Sequence, residues 1–100
     1  MNYESVRTLG QVLGCYFHQD WPDEFDSDHA ALQEILKAES IERLKICAEE
    51  IEEILNAHLS ESDLRELLIN EVGCYFEPAS NGMTYKQWLV VVQEKFRRAH

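Results

Sequence analysis

Apolar residues recur at three- and four-residue steps along most of the chain, the spacing expected of helices that bury one face. The segments that show this spacing are 4–17, 28–38, 41 to about 58, 64–72 and a last one from residue 84. The stretch WLVVVQ at 88–93 has the composition of a strand, but it lies inside the last helical segment. The pattern therefore predicts an all-α fold, a single-domain bundle of about five helices over residues 1–100.

Residues that commonly begin helices support these boundaries. Asp26 or Ser27 can cap the second helix and Ser40 the third, because their side-chain oxygens accept hydrogen bonds from free backbone N–H groups. The stretch SESD at 60–63 has the spacing of a capping box, with Asp in the place of the usual Glu, and TYKQ at 84–87 is a full match. Four of the five predicted helices thus have a residue suited to their first turn.

The predicted helices supply the core. The residues expected to point inward share an apolar character and a position on one face of their helix. They are Val6, Leu9, Leu13, Tyr16, Phe17, Ala31, Leu32, Ile35, Leu36, Ile41, Leu44, Cys47, Ala48, Ile51, Ile54, Leu55, Leu64, Leu67, Leu68, Val72, Trp88, Leu89, Val92 and Phe96. Apolar residues make up 45% of the chain, which is enough for such a core.

The tetrapeptide GCYF occurs at 14–17 and again at 73–76. Sliding the chain by 59 residues aligns the two copies but pairs unlike residues around them, so they are not an internal repeat. Each copy lies at the C-terminal end of a predicted helix, and Gly73 stands where a glycine commonly ends one. We therefore expect both copies to pack into the core, each with a small buried cysteine followed by two aromatic wedges.

The cysteines point to neither a disulfide framework nor a metal site. Cys15, Cys47 and Cys74 are odd in number and widely spaced, so we expect buried free thiols. A zinc site made of Cys15, His18 and Cys74 lacks a fourth ligand, and no cofactor is predicted. Cys15 and His18 form a candidate nucleophile and base, but no oxyanion donor is specified, so the chain is not expected to be an enzyme.

Charge is the strongest compositional signal. Nineteen acidic residues face nine lysines and arginines, a net charge of −10, and 18 of the acids lie before residue 84. Nucleic-acid binding needs a basic footprint, so it is not expected, and an anionic membrane surface is disfavoured for the same reason. A basic partner is the natural complement, although charge that only maintains solubility is the simpler alternative.

The acidic residues fall into two groups. The first follows the first helix and consists of Asp20, Asp23, Glu24, Asp26 and Asp28, and no lysine or arginine occurs from residue 8 to residue 36. The second, on the long third helix, contains Glu49, Glu50, Glu52 and Glu53, and it fits an ordinary solvated face. Uncompensated repulsion costs stability, which a cationic partner would relieve. The first group is therefore the leading contact surface, and Glu49, Glu50 and Glu53 form the second.

The stretch HQDW at 18–21 has two interpretations. Trp21 can anchor an interface, since tryptophan often supplies much of the binding energy there. It can equally close the core, while His18 and Asp20 cap a helix end.

Three stretches resemble the immunity proteins of bacterial contact-dependent growth inhibition (CDI) systems, the CdiI-type helical family. They are LGCYFHQDW at 13–21, VGCYFEP at 72–78 and NGMTYKQWL at 81–89, in that order over nearly the whole chain. The positions that carry the resemblance are Gly14, Tyr16, Phe17, His18, Gln19, Asp20, Trp21, Gly73, Tyr75, Gly82, Thr84, Trp88 and Leu89.

The resemblance implies a helical cytoplasmic protein, a monomer when free, that binds and neutralises the toxin domain of a CdiA-type effector as a heterodimer. Such toxins are often nucleases, whose phosphate-binding surfaces are basic. The motif positions need not contact the toxin, because specificity lies where family members differ. The absence of an apolar leader or membrane-length segment agrees with a cytoplasmic location. The alternative is a helical adaptor that binds a basic or amphipathic segment in a groove.

Overall fold

Five α-helices build the protein, for which a computed structural model describes residues 3–99. They are α1 (Arg7–Tyr16), α2 (Asp28–Ala38), α3 (Ile41–Asn56), α4 (Glu61–Glu66) and α5 (Tyr85–Arg97). Short 3₁₀ turns occupy Tyr3–Val6, Trp21–Asp23 and Pro78–Asn81, and a π-helix, Leu67–Val72, continues α4. Within residues 3–99 there is no strand, which confirms the predicted all-α class. No helix in that part of the chain is long and apolar enough to cross a membrane.

The two long helices, α3 and α5, pack against each other and form the centre of the bundle. Helix α1 lies antiparallel to α3, since Gln11 meets Arg43 near the start of α3 while the backbone of Leu9 meets Glu50 further along it. The radius of gyration is 12.2 Å, close to the value of about 13 Å expected for a folded domain of this length. The described residues therefore form one body around one core.

Most residues predicted to point inward are buried. All the predicted positions of α5 are inaccessible, and so are the predicted positions of α3 from Leu44 to Ile54. Tyr16, Leu36 and Leu55 are only partly buried at the edge of the core. Ile41 is an error of the prediction: it is the first residue of α3 and is 41% exposed.

The predicted caps are confirmed by the hydrogen bonds at the helix starts. Ser27 rather than Asp26 caps α2 and accepts from the N–H of Ala30. Ser40 and Ser60 cap α3 and α4 in the same way. Thr84 forms the full capping box of α5, with bonds in both directions between it and Gln87.

The predicted boundaries needed three corrections. Residues 4–6 form a 3₁₀ turn before α1, and α3 ends at Asn56, followed by a turn in which His58 takes a positive φ of 54°. The segment 64–72 is α-helical only at its start and becomes a π-helix at Leu67. The apolar residues of this segment, Leu67, Leu68 and Val72, are buried even though the helix is a π-helix. The apolar pattern of the sequence therefore could not distinguish an α-helix from a π-helix here.

The π-helix lies directly against α1, and glycine makes this approach possible. A Cβ atom built on Gly14 would lie 2.5 Å from the carbonyl oxygen of Val72, closer than real Cβ contacts come. Gly73 then ends the π-helix with a φ of 78°, a left-handed conformation that suits glycine. Glycine at both positions thus lets the two backbones meet without side chains between them.

Candidate functional site

The acidic loop, residues 18–28, is a series of tight turns between α1 and α2. The N–H groups of Trp21, Asp23 and Glu24 donate to carbonyl oxygens three residues earlier at 2.9–3.0 Å. Pro22 suits the start of the 3₁₀ turn because it lacks an N–H that would need a partner there. The backbone of the loop is therefore fixed by its own hydrogen bonds, so its side chains project from a defined frame.

Aromatic side chains attach the loop to the core. The Trp21 ring packs edge-on against Phe17 and Phe76, with centroid distances of 5.5 and 5.6 Å. Phe25 lies 6.4 Å from Tyr16 in a tilted arrangement. Trp21 is only partly buried, so it closes the core from outside. Of its two sequence interpretations, the packing role is the one that has contacts in the structure.

Three of the five loop carboxylates have no partner among the described residues. Asp20, Asp23 and Asp26 are exposed, and no side chain in residues 5–99 pairs with their carboxylates. The Glu24 carboxylate bonds His18 through Nε2, and the Nδ1 atom of His18 accepts the Asp20 N–H at 3.1 Å. The loop thus presents three unpaired negative charges beside a fourth that faces a histidine.

Asp28, the fifth acid of this group, is held inside the structure. One of its oxygens accepts the indole N–H of Trp88 at 3.1 Å, and the other accepts the Asn81 amide at 2.9 Å. Trp88 is fully buried, so this bond satisfies a donor that water cannot reach. The Asp28 carboxylate therefore joins the acidic loop to the second loop, which is defined as residues 77–84.

The two GCYF copies meet each other. The N–H of Tyr75 donates to the carbonyl of Phe17 at 2.8 Å, and the Phe17 and Phe76 rings lie 5.9 Å apart. The expectation of two buried cysteines was half wrong: Cys74 is buried but Cys15 is exposed. Cys15 lies within α1 on its outward side, whereas Cys74 follows the helix end and enters the core.

Cys15 and His18 are not joined by a hydrogen bond in the described residues. Both ring nitrogens of His18 are engaged by Glu24 and Asp20, and no hydrogen bond joins the ring to Cys15 within the described chain. Burial raises the pKa of Cys47 and Cys74 to about 12, which keeps both thiols neutral and unreactive. In residues 3–99, no cluster of His, Cys, Asp or Glu is arranged to hold a metal ion.

The acidic residues of α3 have mixed roles. Glu50 accepts the N–H groups of Leu9 at 2.7 Å and Thr8 at 3.3 Å, which gives α1 the cap that its own Val6 cannot supply. Glu52 accepts from Gln93 at 2.7 Å on the other side. Glu49 and Glu53 are exposed and have no partner in the described part of the chain.

The two acidic groups do not form one continuous surface. The acidic loop begins at the end of α1, whereas Glu50 binds its start. Ten residues at 1.5 Å each separate these ends by about 15 Å. Arg98 pairs with Glu94, and Arg97 pairs with Glu52 of the second group, so neither arginine pairs with Glu49 or Glu53.

Ile46 was missed by the sequence reasoning. It is 44% exposed and lines a shallow depression of about 300 Å³ with Ser5, Glu49, Glu50 and Glu53. A signal was present in the sequence, because Ile46 is apolar but falls outside the buried stripe that runs through Leu44 and Cys47.

Most motif positions behind the resemblance have structural roles. Gly14, Gly73 and Gly82 permit a close approach or a positive φ, Thr84 caps α5, and Tyr16 bonds Glu39 at the edge of the core. Phe17, Trp88 and Leu89 are buried. Gln19, Asp20 and Tyr75 are exposed, so they are the motif positions with accessible side chains and few internal contacts.

Comparisons with known proteins show the family from the sequence and the fold from a solved structure. The family model CdiI_2, described as CdiI immunity protein, matches residues 5–96. A chain in the crystal structure of a CdiA-CT/CdiI complex from Y. kristensenii 33638 superposes with a TM-score of 0.83 at 23% identity, over 92% of this chain and 98% of that one. Curated protein sequences gave no match. The chain belongs to the CdiI_2 family of CdiI immunity proteins.

Proposed function

We propose that this protein neutralises the toxin domain at the C-terminus of a CdiA-type effector by binding it one to one in the cytoplasm. The family membership and the similarity to a chain of a CdiA-CT/CdiI complex support a toxin partner. In this proposal the protein is a monomer when free, uses no cofactor and carries out no chemistry of its own.

The proposed toxin is a nuclease with a basic surface. A nuclease must hold phosphates with lysines and arginines, and an acidic inhibitor competes for the same groups. The net charge of this protein is −10, opposite in sign to the basic surface of such a nuclease. Attraction between the two surfaces would steer their encounter, with association rates of roughly 10⁸–10⁹ M⁻¹ s⁻¹ in favourable cases.

The observation that carries the proposal is the set of three unpaired carboxylates of Asp20, Asp23 and Asp26 on a fixed loop. A charge that is already in place loses little entropy when its partner arrives. Glu24 adds a fourth charge by exchanging its histidine contact for a toxin lysine or arginine. Asp28 contributes by holding the loop in position through its bonds to Trp88 and Asn81.

The test is charge reversal on the loop. Asp23→Lys, Glu24→Lys and Asp26→Lys together should weaken binding to the cognate toxin domain by at least 100-fold and abolish growth protection. The matched control is Glu34→Lys, Glu66→Lys and Glu71→Lys, which changes the net charge equally at exposed positions without partners in the described chain. Equal affinity of the loop variant and the control would contradict the role of the loop.

A second candidate function rests on a groove beside the start of α5. It has a volume of about 540 Å³ and is lined by Gly82, Met83, Lys86, Gln87, Val90 and Val91. Val90 is 41% exposed, so the groove offers apolar surface to an amphipathic segment. A helical adaptor of this kind would bind its partner with little dependence on salt and would lose affinity on Val90→Asp.

A further inference from the structure

The outer face of α3 carries an exposed apolar side chain among charged residues, most of them acids. Ile46 is 44% exposed near the middle of the helix, with Glu42 and Arg43 one turn before it and Glu49 and Glu50 one turn after it. The Arg43 guanidinium bonds Glu39 and Gln11, so this base is already engaged. Interfaces gain most of their affinity where an apolar contact is desolvated inside a polar rim. On this face of α3, Ile46 is the apolar contact and the charged residues around it form the polar rim.

The depression beside Ile46 has a definite chemical character. Its volume is about 300 Å³, and three of its five lining residues are glutamates. Glu50 is engaged with the N–H groups of Thr8 and Leu9, so its charge is partly offset by the start of α1. The carboxylates of Glu49 and Glu53 have no partner among residues 3–99 and remain available.

We infer that this depression receives a lysine or arginine side chain of the toxin domain, its aliphatic stem packed on Ile46 and its cationic head bonded to Glu49 and Glu53. Long basic side chains bury their methylene groups on apolar surface while the charged end reaches polar groups, which is the arrangement offered here. An arginine would bond the carboxylates in a forked geometry. The inference rests on the proposed function and names a second contact for the same partner.

The distance to the acidic loop is compatible with one partner. Glu50 of the depression bonds the start of α1 and the loop follows its end, so the length of α1, about 15 Å, lies between them along this helix. A standard interface covers roughly 800 Å² on each protein, which is a patch about 30 Å across. A single toxin domain is therefore large enough to reach both.

Substitutions that introduce no new charge distinguish this contact from the overall electrostatic attraction between the two proteins. Ile46→Ala should weaken binding of the cognate toxin domain about 5-fold, and Glu49→Gln with Glu53→Gln should weaken it at least 10-fold. Ile41→Ala is the control for the apolar change, because Ile41 is exposed to a similar degree at the first residue of α3 and does not line the depression. Glu66→Gln with Glu71→Gln is the control for the charge change, and both controls should stay within 2-fold of the wild type.

A photocrosslinker gives a readout that does not depend on affinity. Benzoylphenylalanine at position 46 should crosslink to a toxin peptide containing lysine or arginine, whereas the same group at position 90 should give no crosslink. Wild-type affinity in both α3 variants, or a crosslink from position 90 alone, overturns the inference while leaving toxin binding intact. Failure of the wild-type protein to bind the toxin domain overturns the proposed function, and this inference with it.

Discussion

The two loops that follow the GCYF copies share an architecture but differ in their surfaces. Each continues into a 3₁₀ turn that contains a proline, Trp21–Asp23 and Pro78–Asn81, and each ends at a hydroxyl cap, Ser27 or Thr84. Residues 18–28 carry five acids, whereas residues 77–84 carry only Glu77. A loop with a 3₁₀ turn and a hydroxyl cap can therefore form without the negative charge that the acidic loop carries.

That difference helps to separate folding from function. Phe17, Phe76 and Trp88 pack together, and the Asp28 contacts join the loops, so these residues explain why the chain folds as it does. The carboxylates of Asp20, Asp23 and Asp26 have no hydrogen-bond or ion-pair partner in the described chain, and their mutual repulsion opposes folding. A surface that costs stability without supporting the fold is a good candidate for a binding surface.

The largest effect on stability is expected where the two GCYF copies touch. Gly14→Ala should lower the free energy of unfolding by about 3 kcal/mol, because the new Cβ would meet the Val72 carbonyl, which is backbone and moves little. Gly10→Ala is the control, since the new Cβ would have ordinary contacts at 3.6 Å. This variant should raise the free energy of unfolding by up to about 1 kcal/mol, because alanine favours a helix more than glycine does. Chemical denaturation of both variants measures the difference, and a stabilised Gly14→Ala variant would show that the close approach is absent.

A smaller loss is expected where Asp28 joins the loops. Asp28→Ala leaves the buried Trp88 indole N–H without its acceptor and should cost about 2 kcal/mol. Asp26→Ala removes an exposed carboxylate two residues away and should change stability by less than about 0.5 kcal/mol. Thermal unfolding of the two variants compares them directly, and equal melting temperatures would remove the structural role assigned to Asp28.

The smallest expected effect is a difference in chemical reactivity between Cys15 and Cys74, the cysteines of the two GCYF copies. Iodoacetamide at pH 8 should modify Cys15 alone in the folded protein, because Cys47 and Cys74 are buried with pKa values of about 12. Intact mass spectrometry should show one adduct in buffer and three in denaturant. Rapid labelling of Cys74 in buffer would mean that the second GCYF copy does not enter the core.

The sequence predicted the helices well because their periodicity and caps reflect local physics. Asp28–Ala38 matched at both ends, and the capping box at Thr84 formed as expected. The π-helix at Leu67–Val72 could not be predicted, since it depends on packing against Gly14, which is distant in sequence. The exposure of Cys15 was missed for a related reason: one motif repeated at two sites need not face the core in the same register.

The candidate site was predictable in composition but not in its internal assignments. Charge counting located the acidic loop, yet nothing local showed that Asp28 accepts the indole of a residue 60 positions later. Likewise, Glu50 was grouped with its neighbours on α3, although it caps the start of α1. Such contacts depend on the tertiary arrangement, which assigns similar carboxylates to structural or exposed roles.

The most direct test of the central claim is the salt dependence of toxin binding. Association rates should be measured from low to high ionic strength for the wild type, the Asp23→Lys, Glu24→Lys, Asp26→Lys variant and its charge-matched control. Screening weakens interactions between exposed charges. The account predicts a steep fall with salt for the wild type and the control, and a slow, nearly flat profile for the loop variant. Parallel profiles for the loop variant and the control would contradict it.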